Sequence, residues 1–326
     1  MDGEKLEIQE MLGNDIHMVE TKRGGMLDNV ARVLDETIAQ VMETDNIYAY
    51  SGQALNQQEL FELSCREDIK LVLVAGPFGS GKTTLETMLY YIFLEGKNQS
   101  ACFCGSHTLP GFWRRSRKIM CNSGEPEPVV PRTSRQDKDW FLHLEVQDMS
   151  GKRCNLVFAD LSGETFMETE SLDNYSKLFR NMENVIIVVD GEKVCDADRR
   201  DNAYTDTVML LKQFLKKGIV TRRTKLQIVC TKLDRIKKAE NREKIKEFLE
   251  AKKSILSKNY QNKVYSMDFC TVSALSIEEA SESEKMESII CRCMEEPWGW
   301  DREAYTDAYG DNLETVREFE RFSVRG

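Results

Sequence analysis

Residues 69–84, IKLVLVAGPFGSGKTT, join an apolar, β-branched run to a glycine-rich loop that ends in Gly-Lys-Thr. Gly76, Gly81, Lys82 and Thr83 satisfy the pattern G-x-x-x-x-G-K-[ST] of a phosphate-binding loop. A strand-like run precedes the loop, and a helix-forming segment (Leu85, Met88, Leu89, Ile92, Phe93) follows it. Such a strand–loop–helix unit commits the chain to α/β architecture. The backbone N–H groups of Gly76, Phe78, Gly79, Ser80 and Gly81, with the helix start at Lys82, Thr83 and Thr84, favour bound phosphate. Lys82 is expected to reach the β- and γ-phosphates of a nucleoside triphosphate, and the Thr83 hydroxyl to hold Mg²⁺.

Apolar segments alternate with helical ones from residue 69 onward. Strands are expected at 69–75, 140–146, 155–160, 185–190, 226–230 and 264–272, and helices at 83–95, 168–182, 199–217, 239–257 and 277–294. Runs such as VIIVVD and LQIVC imply strands buried on both faces, as in a parallel sheet covered by helices. The turn at Ser150-Gly151 predicts a hairpin that adds one antiparallel edge strand. The fold class is therefore a phosphate-loop α/β fold with a mostly parallel six-stranded sheet and helices on both faces. Three segments are expected: a helical N-terminal extension (1–68), the nucleotide-binding domain (69–296) and a polar C-terminal tail (297–326). Helical periodicity at 27–42 and a second helix at 53–63 fit an extension that packs on the domain or meets a partner. The stretch 105–138 reads as a long loop; it holds Pro110, Pro126, Pro128 and Pro131 of the six prolines. Trp298 and Trp300 are expected to anchor the tail to the body.

A net charge of −10 argues against a nucleic-acid-coating surface. No apolar run reaches the roughly 18 residues of a membrane span, and MDGEKLEIQE is not a signal peptide. The expected location is the cytoplasm, with the ten cysteines as reduced thiols. Cys102/Cys104 could converge if they lay on a strand, where i and i+2 share a face, but Cys291/Cys293 point about 200° apart on a helix, so a four-thiol zinc site is not expected. The three histidines, His17, His107 and His143, are too separated in sequence to suggest a metal site.

The base is read from Thr231-Lys232-Leu233-Asp234 at the end of LQIVC. A carboxylate at Asp234 can accept from guanine N1–H and N2–H₂, a donor pair that adenine lacks, so adenine would leave the charge unpaired. Lys232 can lay its stem on the purine face. Ser273-Ala274-Leu275, after the next strand, can offer a backbone N–H to guanine O6. Asp160-Leu161-Ser162-Gly163 closes the strand NLVFAD, with Asp160 placed for Mg²⁺ and the Gly163 N–H for the γ-phosphate.

With GPFGSGKT, DLSG, TKLD and SAL in that order across 69–275, the chain resembles the P-loop GTPases of the translation-factor and Ras-like class. The resemblance implies GTP·Mg²⁺ binding and a GTP/GDP conformational cycle. A narrower resemblance, on Gly105–Phe112 and Asp160–Phe166, is to the double-GTPase families of bacterial conflict systems. The class implies a switch I threonine completing the Mg²⁺ shell; Thr133 is the choice and Thr108 the alternative. Glu164 stands where many members carry glutamine. It can accept a hydrogen bond from attacking water but cannot donate one to the γ-phosphate. Phe78, at the loop position nearest the γ-phosphate that is commonly glycine in Ras itself, should obstruct a Ras-type arginine finger entering from outside. Arg132, Arg114, Arg115, Arg117 and Lys118 are candidate internal cations, with solvated surface as the alternative for each.

The expected function is a GTP-hydrolysing switch, slow alone, with Lys82, Glu164 and Thr133 as catalytic candidates. It would be read through its switch loops by a protein effector or regulator, another GTPase included. A nucleotide-binding adaptor with little turnover is the alternative. A P-loop kinase or ATPase is disfavoured, because it has no need of TKLD and SAL.

Overall fold

The computed structural model describes residues 52–94, 100–116, 141–160, 178–273 and 280–295. The expected helix 27–42, residues 168–177 of the helix expected at 168–182, the later part of the long loop, and Trp298 and Trp300 lie outside the described residues, and 178–181 form turn rather than helix. In chain order the elements are α1 (Gln57–Arg66), β1 (Ile69–Ala75), α2 (Lys82–Leu94), β2 (Ala101–Gly105), α3 (Leu109–Ser116), β3 (Phe141–Asp148) and β4 (Arg153–Asp160). They continue with β5 (Asn184–Val189), α4 (Gly191–Cys195), α5 (Arg200–Lys217), β6 (Lys225–Cys230), α6 (Leu233–Lys238), α7 (Arg242–Tyr260), β7 (Ser266–Thr271) and α8 (Ala280–Met294).

The strands form one seven-stranded sheet in the order β2-β3-β4-β1-β5-β6-β7. All neighbours from β4 to β7 are parallel, while β3 is antiparallel to both β2 and β4. The expected hairpin joins β3 to β4. Its turn is closed by Asp148 Oδ1, which accepts from the backbone N–H groups of Ser150 and Lys152, both at 2.9 Å.

Alternation along the central strands sends side chains into two layers. Val72, Val74, Ile186, Val188 and Val229 pack beneath α2 and α8. Leu73, Ala75, Val185, Ile187, Leu226 and Ile228 pack beneath α5 and α7. Leu60 and Leu63 of α1 join this second layer, so the N-terminal extension contributes core from α1 onward. Asn56 starts α1 with a capping box, accepting from Glu59 N–H at 3.0 Å while Glu59 Oε2 accepts from Asn56 N–H at 2.8 Å.

Three local readings change. A seventh strand, β2, lies at the sheet edge; its outward residues Cys102 and Phe103 hide the burial signal that marks central strands. Helix α3 occupies part of the stretch expected as loop. Phe112, fully buried and stacked on Tyr90 at 4.8 Å, supplies the tertiary contact that overrides the poor helix formers Pro110 and Gly111. The helix expected at 239–257 is present as α7, set about three residues later, and the short helix α6 precedes it unforeseen. Among the described residues, no helix is long and apolar enough to cross a membrane.

Candidate guanine-nucleotide site

The parallel register aligns the carboxyl ends of the central strands: Val74 pairs with Asp160, Ala75 with Ile187, Val189 with Cys230, and Cys230 with Thr271. The carboxyl ends of β1, β4, β5, β6 and β7 therefore lie on one edge of the sheet. Chain order reverses across β1, where β4 and β5 flank it, which is where open α/β sheets bind ligands.

Gly79 (φ 76°) and Gly81 (φ 89°) have the left-handed backbone that turns the phosphate loop into α2. Lys82 begins the helix and is 8 % exposed, its ammonium donating to the carbonyls of Gly76 (3.1 Å) and Pro77 (3.2 Å). These bonds curl the side chain along the loop and hold its charge there. Thr83 and Thr84 are half-buried in the first turn. Ser80 is fully buried, and its carbonyl accepts from Thr231 Oγ1 at 2.7 Å, tying the phosphate loop to the turn after β6. The Phe78 ring projects from the loop, 61 % exposed.

Asp234 lies in the first turn of α6, where Oδ1 accepts from Ser273 Oγ at 3.2 Å. Leu233 N–H donates to the Val272 carbonyl at 3.1 Å, holding the ends of β6 and β7 together. The two motifs, far apart in sequence, thus meet. Asp160 ends β4 level with Val74, beside the strand that feeds the loop. The Asp160 side chain, Thr133, Gly163, Glu164, Ala274 and Leu275 lie outside the described residues. The alternative switch threonine does not reach this edge. Thr108 is fully buried, and its hydroxyl accepts from His143 N–H at 2.8 Å. His143 pairs with Val157 and so lies level with Leu71, four residues before the end of β1.

Sequence reasoning missed the turn Asp190-Gly191-Glu192. Lys232 Nζ is 2.9 Å from both Asp190 Oδ1 and Glu192 Oε2. Burial pushes the Lys232 ammonium down, but the two carboxylates outweigh it and hold its pKa above the usual value. The hydrogen bond from Lys232 holds the Glu192 carboxyl below its usual range. The available signal was the Asp190 that ends VIIVVD at the same strand-end level as Thr231.

His107 and His143 also meet, with ring centroids 4.8 Å apart, and Glu67 Oε1 lies 3.3 Å from His107 Nε2. This trio is poorly arranged for a metal. The rings are inclined by only 27°, so their in-plane lone pairs do not converge. His143 Nδ1 already accepts from His107 N–H (3.0 Å), and Nε2 faces Asn155 Oδ1 at 3.1 Å. Those contacts assign the neutral Nε2–H tautomer. The buried thiols of Cys230 and Cys293 are pushed up to about 12 by burial, which makes them inert packing groups.

No curated protein matches the chain. Among solved structures it is similar to the GDP-bound RocCORdC of Roco2 from Methanosarcina barkeri, with 15% identity and TM-score 0.36 over 70% of this chain and 50% of that one. It is also similar to the signal recognition particle receptor SRb-GTP/SRX complex from Chaetomium thermophilum, with 12% identity and TM-score 0.36 over 68% of this chain and 98% of that one. A GTP-binding protein from Sulfolobus solfataricus in complex with GDP gives 13% identity and TM-score 0.36 over 73% and 57%. The chain thus spans half the length of the Roco chain it matches. The model of one protein family, Double-GTPase 2, matches residues 70–294 and so takes in all the strands and the described motifs. The match takes in the phosphate-loop sequence and the Asp234–Ser273 contact, and it shows that the chain belongs to the Double-GTPase 2 family and carries its GTP-binding domain.

Proposed function

We propose that this protein is a Mg²⁺-dependent GTPase that works as a molecular switch, hydrolysing GTP slowly alone and signalling to a protein partner through its switch loops. One observation carries the reading. The buried Lys82 and the Asp234–Ser273 pair lie on the same edge of the sheet, joined through the 2.7 Å bond from Thr231 to Ser80. A single ligand can thus be held by its phosphates and its base.

In this reading the N–H groups of the loop Gly76–Gly81 take the phosphates, Lys82 the β- and γ-phosphate charge, and the Gly163 N–H the γ-phosphate. Thr231 supports the loop, Lys232 lies on the purine, Asp234 reads its edge, and Ser273, Ala274 and Leu275 close on O6. Thr83, Asp160 and Thr133 supply hard oxygen donors, the set that suits Mg²⁺; Thr83 lies in the first turn of the helix that follows β1, and Asp160 ends the adjacent strand β4. Bound Mg²⁺ would neutralise charge on the phosphate oxygens. Water attacks the γ-phosphorus in line while the bond to the bridging oxygen breaks, leaving GDP and inorganic phosphate. Glu164 accepts a hydrogen bond from that water and orients it. The same reading takes 69–296 as the GTPase domain flanked by 1–68 and 297–326, in the cytoplasm.

Calorimetric titration with GTP, GDP and ATP tests the base, with Asp234→Asn as control. Guanine nucleotides are expected to bind in preference to ATP, and the variant to lose at least tenfold, since a charged acceptor is removed from two donors. Preference for ATP, or unchanged GDP affinity in the variant, overturns the assignment. A nucleotide-binding adaptor is the second reading, favoured by Glu164, whose carboxylate cannot donate to the phosphate. Single-turnover hydrolysis by Glu164→Ala within about twofold of wild type would remove the catalytic role of Glu164.

A further inference from the structure

The turn after β5 is packed against the turn after β6 with almost no space between them. A Cβ on Gly191 would lie 2.0 Å from the Thr231 carbonyl oxygen and 3.1 Å from its carbon. Both atoms belong to backbone, so neither can swing away. Thr231 N–H donates to the Val189 carbonyl at 3.0 Å, and its hydroxyl lies 3.3 Å from the same carbonyl, so three consecutive residues of the first turn flank the base motif. Asp190 is 7 % exposed and caps α4 by accepting from Glu192 N–H at 3.0 Å. Its Oδ1 and Glu192 Oε2 both hold Lys232 Nζ.

Lys232 has a left-handed backbone (φ 57°, ψ 39°) and starts α6 without a side-chain cap of its own. A non-glycine residue pays about 1 kcal/mol for that conformation, which persists only where its surroundings impose it. Here the Thr231 and Leu233 N–H bonds fix the backbone on either side, and the two carboxylates fix the far end of the side chain. A lysine stem free in solution samples many rotamers; this one is restrained at both ends before any ligand arrives.

We propose that Asp190-Gly191-Glu192 is a positioning element of the guanine site. It draws the Lys232 ammonium away from the base so that the methylene stem lies flat along the purine face. The inference rests on the guanine reading above and adds residues that touch no nucleotide themselves. Gly191 permits the close approach of the two turns, Asp190 supplies a buried counter-charge, and Glu192 supplies the outer one. Asp234 then reads the base edge, while the restrained stem covers the ring without choosing between purines. The other charged groups near Glu192 are Arg235 and Arg199, both favouring its ionised form.

The test is a double-mutant cycle on GDP·Mg²⁺ affinity, measured by calorimetry on the full chain with Glu192→Gln, Lys232→Met and the pair. Glu192 is largely exposed, so Glu192→Gln is expected to weaken GDP by about two- to fivefold, the range of an exposed ion pair. In the Lys232→Met background the same change is expected to have no further effect, because its route to the nucleotide has gone. A merely structural role for Glu192 would give the same loss in both backgrounds, and that result overturns the proposal. So does unchanged affinity in Glu192→Gln, or in Lys232→Met. Should Lys232→Met strand the buried Asp190 and fail to fold, Lys232→Gln takes its place, keeping a donor for that carboxylate. Asp234→Asn is measured in parallel. If it binds GDP as wild type does, the guanine reading fails; if it loses affinity while the cycle shows no coupling, only the positioning element fails.

Discussion

Gly191→Ala perturbs the close approach of the turn after β5 to the turn after β6. The new methyl carbon would stand 2.0 Å from the Thr231 oxygen, about 1 Å inside the nearest separation that Cβ atoms reach in proteins. The clash is between backbone segments, so the turn after β5 must move away from the turn after β6 by roughly that amount. Overpacking of this kind costs about 1–3 kcal/mol. In a domain of this size that corresponds to a melting temperature lower by about 2–12 °C, from roughly 2–4 °C per kcal/mol. The displacement also opens the 3.0 Å bond from Thr231 N–H to Val189 and pulls Asp190 from Lys232. GDP affinity should therefore fall further than in Glu192→Gln. Thermal unfolding followed by circular dichroism and GDP calorimetry on the same preparation are the assays. A variant that melts within about 1 °C of wild type and binds GDP equally would refute the argument that these turns are locked by backbone contact.

Two other expectations concern the amino end of β6 and the antiparallel side of the sheet. Lys225 is 2 % exposed and its ammonium donates to the carbonyls of Arg292 (2.9 Å), Cys293 (3.3 Å) and Glu295 at the C-terminus of α8. Lys225→Met takes this donor from the Arg292 and Cys293 carbonyls, while Lys70 still serves Glu295, and should cost about 1–3 kcal/mol by chemical denaturation, with GDP affinity of the folded protein unchanged. Burial holds His143 below its ordinary value of 6.5, so its neutral form is the one that folding favours. The stability it lends is complete above 6.5 and falls as pH drops through the lowered folded value, because the unfolded chain binds the proton first. Melting temperatures from pH 8 to pH 5 should fall more steeply in wild type than in His143→Gln; equal slopes would refute this.

What could be read from the sequence was what lies in contiguous residues. The phosphate loop spans Gly76–Thr83, and its glycines, lysine and threonine need only the strand and helix beside them. The apolar runs of β1, β5 and β6 announced buried strands, because a strand covered on both faces has no polar alternation to confuse it. TKLD and SAL were legible for the same reason. The edge strand β2 was not, since exposure of Cys102 and Phe103 removes that signal. Nor was α3, whose helix rests on the burial of Phe112 against Tyr90 rather than on its own composition.

The sequence by itself determined that this chain carries the phosphate-loop pattern, the TKLD and SAL segments and strands for a parallel sheet. Tertiary structure alone decided how these meet. It brought Asp234 within 3.2 Å of Ser273, joined the phosphate loop to the base turn through Thr231, and turned Thr108 away from the nucleotide edge onto His143. It also placed Asp190 and Glu192 on Lys232, some forty residues on. The physical reason is strand register. Parallel pairing of β5 with β6 brings Val189 level with Cys230, so the residues that follow each strand must share one small space, and only a glycine at 191 lets them do so.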